Sequence, residues 1–239
     1  MHSLPLLLVP GLMCDGTVWE PLYPWLRAQH NCTVVDHGQA NTLPHMAEQL
    51  LQAAPPHVVL AGHSMGARVA LEALRLAPER IKGVALLDTG YLPKPPGQAG
   101  EDEANKRFRL LQIAQTQGVR AMAQEWVQGM VHPARLADAE LIERILVMFE
   151  RKSADTFAHQ IHALLNRPDG SDVLRALRVP TLLLCGKQDS WSPPAQHAAM
   201  QALAPDAVLD VIDEAGHMAP MEQPEAVATS LLRWLAQVR

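Results

Sequence analysis

His57-Val58-Val59-Leu60-Ala61-Gly62-His63-Ser64-Met65-Gly66-Ala67-Arg68 decides how this chain is read. Val58 to Ala61 is a short apolar run of the kind that forms a buried strand. It leads into Gly62-His63-Ser64-Met65-Gly66. From Ala67 to Ala77 apolar residues then recur at helical spacing, until Pro78. A strand that becomes a helix within so few residues forces the residue at the apex into a strained backbone. Side chains at Gly62 and Gly66 would collide where strand and helix pass, so glycine is needed at both. Ser64 projects its hydroxyl from the tip, at the positive end of the helix dipole. A Gly-x-Ser-x-Gly alone is compatible with an ordinary turn that carries a serine. The strand before it and the helix after it favour a nucleophile elbow.

The flanking sequence repeats the same alternation. Leu4 to Val9 is an apolar run of strand length, ending in the turn-rich loop Pro10 to Gly16. A helical stretch is expected from about Val18 to Gln29, a strand over Cys32 to Val35, and a helix around Leu43 to Ala53. After the elbow helix, Gly83 to Asp88 reads as a fourth strand. Thr181 to Cys185 and Val208 to Ile212 read as a fifth and a sixth, each followed by a helix. Strands that are apolar throughout call for a parallel sheet covered on both faces. Right-handed crossovers then put the first strand centrally, with the winding reversing beside it. Ligands on such sheets bind beyond the strand C-termini at that switch point, where Ser64 and the Pro10–Gly16 loop would lie.

Between the fourth and fifth strands the alternation stops. Tyr91 to Gly100 is rich in Pro and Gly, and about four amphipathic helices follow. Met122, Trp126 and Met130 mark the apolar face of one; Ile145, Met148 and Phe149 mark another. Arg167-Pro168-Asp169-Gly170 closes the stretch, and Ser171 or Asp172 is expected to cap a short returning helix. Residues 91–170 therefore read as a helical cap inserted into a core made of 1–90 and 171–239.

Composition narrows the function. The 239 residues suffice for one large domain, and 48% hydrophobic with 19% charged residues describes an ordinary globular chain. A net charge of −5 provides no basic footprint for nucleic acid. The Leu4–Val9 run is too short to span a membrane and lacks the basic flank of a signal peptide. Cys14, Cys32 and Cys185 are odd in number and far apart, as expected of reduced thiols in the cytoplasm. Cys14 follows the first strand closely enough to border a site, although a small buried hydrophobe is its simpler role.

Serine needs a base to take its proton, and the base needs a partner to hold it. His217, in Asp213 to Pro220 after the sixth strand, is the candidate base. His63 adjoins Ser64 but would point into the elbow packing. His159 and His162 share a helix face without a third ligand, so neither metal nor cofactor is expected. The acid should end another strand. Asp189 follows the fifth strand and Asp88 ends the fourth; the order Ser…Asp…His favours Asp189.

Gly-His-Ser-Met-Gly, the Gly186-x-x-Asp189 after a strand, and Gly216-His217 followed by Glu222-x-Pro224 together resemble the α/β-hydrolase superfamily, in its capped, esterase-like form. The resemblance covers essentially the whole chain. It implies an α/β, doubly wound, six-stranded, mainly parallel sheet of order 2-1-3-4-5-6, without the N-terminal hairpin common in that superfamily. It also implies Ser64 as nucleophile, His217 as base and Asp189 as acid. The oxyanion hole would be the Met65 N–H with that of Leu12 or, since Pro10-Gly11 replaces the His-Gly of many relatives, Met13.

The expected activity is hydrolysis of a small, largely apolar carboxylic ester through an acyl-enzyme. Enol-lactone or diketone carbon–carbon hydrolysis, perhydrolysis, and ligand binding without turnover are the alternatives. Trp19, Met122, Trp126, Met130, Met148 and Trp191 are the candidate pocket residues, though core packing is the plainer role for any one of them. Arg68 reads as lying on the outer face of its helix. No Arg or Lys is then placed to pair with a charged acyl group, so such esters should be poor substrates.

Overall fold

The computed structural model describes residues 4–238; the outermost ends of the expected core segments, residues 1–3 and 239, lie outside it. The strands are β1 (Leu6–Val9), β2 (Cys32–Val34), β3 (Val58–His63), β4 (Ile81–Leu87), β5 (Thr181–Gly186) and β6 (Val208–Ile212). They pair in parallel throughout, in the order β2-β1-β3-β4-β5-β6. Burial follows position in the sheet. β1, β3 and β5 are buried at every residue, whereas β2 and β6 at the edges are partly exposed. Inner strands have helices on both faces, so both faces must be apolar.

The helices of the sheet are α1 (Tyr23–Leu26), α2 (Leu43–Ala53), α3 (Met65–Leu76), α9 (Pro194–Leu203), α10 (Ala219–Glu222) and α11 (Pro224–Leu235). Between β4 and β5 come α4 (Gln98–Gln117), α5 (Val119–Trp126), α6 (Ala139–Glu150), α7 (Ala154–Leu165) and the short α8 (Ser171–Ala176). The helical region thus enters and leaves the sheet layer between neighbouring strands. Its two ends meet where Gly170 N–H donates to Tyr91 O at 2.8 Å.

Two local expectations are corrected. The helix expected over Val18–Gln29 is broken into 3₁₀ turns at Gly16–Val18 and Glu20–Leu22, followed by the single turn α1. Pro21 and Pro24 are the reason, since neither can donate within a continuing helix. The cap of α8 is also different: the helix begins at Ser171, behind Gly170, and the Asp169 carboxylate accepts from Ser171 N–H at 2.7 Å.

Candidate active site

The elbow is as tight as its glycines suggest. Ser64 sits at φ 54°, ψ −115°, a conformation unusual for a non-glycine residue. A Cβ on Gly62 would meet the Ala67 backbone at 2.5 Å, and one on Gly66 would meet Val9 O at 2.1 Å. Strand β3, helix α3 and the end of β1 are therefore in near-backbone contact. Ser64 N–H donates to Leu87 O at 2.8 Å, which ties the apex to the end of β4.

Three side chains from three strand ends meet at this apex. His217 Nε2 lies 2.8 Å from Ser64 Oγ, and His217 Nδ1 lies 2.8 Å from Asp189 Oδ2. A carboxylate can only accept, so Nδ1 carries the proton and Nε2 is left to accept from the serine hydroxyl. Asp189 Oδ1 accepts the N–H groups of Trp191 and Ser192 at 2.8 and 2.9 Å. Burial alone would raise the Asp189 carboxyl, but the facing His217 and these hydrogen bonds bring it down to about 2. It is held as an anion.

Asp88 has another setting. It is fully buried, its Oδ1 accepts Gly186 N–H at 2.9 Å, and its Oδ2 has no partner. Burial, reinforced by the Asp189 charge, raises its carboxyl well above the usual range. It stands 3.8 Å from His63 Nε2. His63 is itself buried, and burial with the neighbouring His217 lowers it to about 3, so it is neutral. Its Nε2–H donates to His217 O at 2.8 Å and props the histidine loop from below.

The two oxyanion candidates separate on hydrogen bonding. Met13, at φ 62°, donates its N–H to Gln160 Oε1 at 2.8 Å. Leu12 N–H and Met65 N–H have no protein acceptor among the described residues, and both residues border the cavity above Ser64. The Cys14 thiol also borders it, but burial pushes it up to about 12, which leaves no thiolate to react.

The cavity has a volume of about 460 Å³, a size typical of small-molecule sites. Trp126, Met130 and Trp191 line it. Trp191 stacks on Trp126 at 5.6 Å and tilts over His217 at 4.9 Å between ring centroids. Trp19, Met122 and Met148 do not line it. Trp19 is buried behind the elbow, edge-on to His63 at 6.4 Å, and Met122 and Met148 are fully buried in α5 and α6, which pack together. Phe149 takes a place in the wall instead. Arg68 is the larger correction, because it too lines the cavity rather than lying outside it.

Sequence reasoning also missed Glu222. This buried carboxylate accepts Gly216 N–H and Met218 N–H with Oε1, at 2.9 and 3.1 Å, and His132 N–H with Oε2 at 2.6 Å. It clamps the loop on both sides of His217 and fastens it to the helical region. His217 N–H adds a bond to Met130 O at 2.7 Å. The Glu-x-Pro after Gly-His was the visible signal, but its partner 90 residues away was not.

Among the described residues no three His, Cys, Asp or Glu side chains stand together as a metal site, and no helix is long and apolar enough to cross a membrane. The chain is 30% identical to the dihydrolipoyllysine-residue acetyltransferase component of the acetoin cleaving system of Pseudomonas putida, over 97% of this chain but 63% of that protein. It is 26% identical to a pimeloyl-[acyl-carrier protein] methyl ester esterase of Klebsiella pneumoniae, covering 98% and 94% of the two chains. Among solved structures, a thermophilic esterase from Thermogutta terrifontis superimposes with a TM-score of 0.84 at 30% identity, over 98% of this chain and 90% of that one. The enol-lactonase from Burkholderia xenovorans LB400 shares the fold with a TM-score of 0.86 at 18% identity, over 99% and 92%. With the sequence profile of the Alpha/beta hydrolase family matching residues 6–230, the chain belongs to that family.

Proposed function

We propose that the chain is a serine hydrolase that cleaves a small carboxylic ester through an acyl-enzyme, with residues 91–170 acting as a cap over a core of 1–90 and 171–239. The observation that carries this reading is the unbroken chain Asp189 Oδ2–His217–Ser64 Oγ, 2.8 Å at each link, on the floor of a cavity. In that arrangement His217 Nε2 takes the Ser64 proton as Oγ attacks the ester carbonyl carbon. Leu12 and Met65 N–H groups receive the charge that develops on the carbonyl oxygen. Asp189 keeps His217 in the tautomer that can accept, and stabilises the imidazolium formed. When the intermediate collapses, His217 returns the proton to the departing alkoxide. Water then repeats the sequence on the acyl-enzyme and regenerates Ser64. The aromatic and aliphatic wall formed by Trp126, Met130 and Trp191 supports an apolar portion in the substrate.

The test is labelling with a fluorophosphonate probe, followed by peptide mass spectrometry and p-nitrophenyl butyrate turnover. The adduct is expected on Ser64, and Ser64→Ala should keep the fold and lose roughly 10⁴-fold or more in kcat. A clean Ser64→Ala preparation that retains most of the turnover would falsify the assignment.

A further inference from the structure

The cavity is apolar on one side only. On the other it is bordered by Arg68, Lys106, Arg107 and Arg167 together with Glu103; Asp88, the other acidic residue of the lining, has its carboxyl raised by burial. Glu103 is already engaged twice: Arg167 reaches it at 2.6 and 2.8 Å, and Arg107 at 3.0 Å. Arg68 and Lys106 have no ion-pair partner among the described residues. We infer that this wall is a subsite for a carboxylate carried by the substrate, so that the ester cleaved at Ser64 is an anionic one with a carboxylate at its far end. The inference rests on the hydrolase reading for the bond that is cut, and on the cavity wall for the charge.

Arg68 is the centre of the argument. It lies four residues after Ser64 in chain order, one turn along α3, so the two Cα atoms are separated by roughly 6 Å along the helix axis. Its guanidinium donates once, from Nη1 to Leu92 O at 3.0 Å. That leaves most of its donors without a protein acceptor among the described residues. Fixing the Leu92 carbonyl alone would need no charge and no planar fork. Burial, together with the charge of Arg167, depresses the Arg68 guanidinium well below its ordinary value, and Arg107 is depressed by burial as well. Such a setting is short of negative charge, and a bound carboxylate would supply it through charge-assisted, two-pronged hydrogen bonds. On the same wall two of these guanidinium groups, those of Arg107 and Arg167, already donate to a carboxylate, that of Glu103.

Two matched pairs of esters test this, one for each half of the substrate. Monomethyl adipate against methyl hexanoate places the carboxylate on the acyl side. The ω-acetoxyhexanoate anion against hexyl acetate places it on the alcohol side. In at least one pair the anionic ester should have the higher kcat/KM, by roughly tenfold or more, the usual worth of a hydrogen bond to a charged group. Arg68→Gln should bring that ratio close to one, whatever becomes of the separate rates, and Arg68→Lys should retain part of it. Equal or reversed preference in both pairs with the unsubstituted protein overturns the subsite, as does a ratio that survives Arg68→Gln. Should the unsubstituted protein hydrolyse none of the four esters, the hydrolase reading is judged separately by the Ser64 adduct and p-nitrophenyl butyrate turnover. Quenching of tryptophan fluorescence by monomethyl adipate and by methyl hexanoate then decides the subsite: tighter binding of the anion supports it and equal binding refutes it.

Discussion

Two buried aspartates, both at strand ends, have their carboxyls shifted in opposite directions. The difference lies in hydrogen-bond donors. Asp189 receives three, from His217, Trp191 and Ser192, whereas Asp88 receives one from Gly186 and leaves Oδ2 unpartnered. Where donors are few, burial decides, and the Asp88 carboxyl is pushed up. Asp189→Asn should therefore reduce kcat on the order of 10³–10⁴-fold, because His217 loses the acceptor that fixes its tautomer. Asp88→Asn should cost little turnover, and Asn tolerates the φ of 49° at this position. The stability of the Asp88 variant has a further signature. In the unfolded chain Asp88 ionises near the ordinary value of ~3.9. The folded protein holds the proton to higher pH, so between the two values it binds more protons than the unfolded chain and loses stability as pH rises. Asparagine cannot ionise. Urea unfolding as pH is raised above ~4 should thus show the stability difference moving in favour of Asp88→Asn until the folded protein also gives up the Asp88 proton. A difference that stays constant with pH would mean that Asp88 is ionised in the folded protein.

At the scale of elements, the legible parts were those specified locally. The inner strands were readable because burial on both faces leaves an uninterrupted apolar run, and β6 coincides with its expected Val208–Ile212. The helix expected after β1 was not readable from apolar spacing alone, since Pro21 and Pro24 override it. The difference between Leu12 and Met13, on which the proposed oxyanion hole rests, was beyond reach for a different reason. What distinguishes them is Gln160, 147 residues away on α7, whose side chain occupies the Met13 N–H. That bond also holds a non-glycine residue at positive φ, which costs energy unless the surroundings enforce it. Gln160→Ala should let the loop after β1 relax and move the Leu12 N–H from its aim. Loss of a whole oxyanion donor costs about 10²–10³-fold in kcat, so partial misalignment should cost roughly tenfold, with a smaller change in KM. Ester kinetics together with amide exchange at Met13 measure this. Unchanged kcat with a freely exchanging Met13 amide would show that the loop keeps its shape without Gln160.

For the whole molecule, the helical region is bonded to two of the loops around Ser64, the one after β1 and the one that carries His217. Gln160 reaches the loop after β1, Arg151 reaches Asp15 at 2.7 Å in the same loop, and Met130 O and His132 N–H reach the histidine loop directly or through Glu222. Arg68 was misread for the same reason. The periodicity of α3 turns it away from the sheet, and only the later placement of α4 and α7 over that face makes it a cavity wall. Glu222 is the sharpest test of this coupling, because its two oxygens divide the work. Oε1 holds the histidine loop to itself through Gly216 and Met218, and Oε2 holds the helical region through His132. In Glu222→Gln the amide can keep its oxygen towards the two donors of the loop, which turns its NH₂ towards the His132 N–H. One buried donor then loses its acceptor, at a cost of about 1–3 kcal/mol. The expected result is a loss of stability of that order in urea unfolding, with faster amide exchange at His132 than in the wild type. Exchange at Gly216 and Met218 should change much less. Equal acceleration on both sides would show that the carboxylate serves the histidine loop as a unit, and that the helical region is held to it by other contacts.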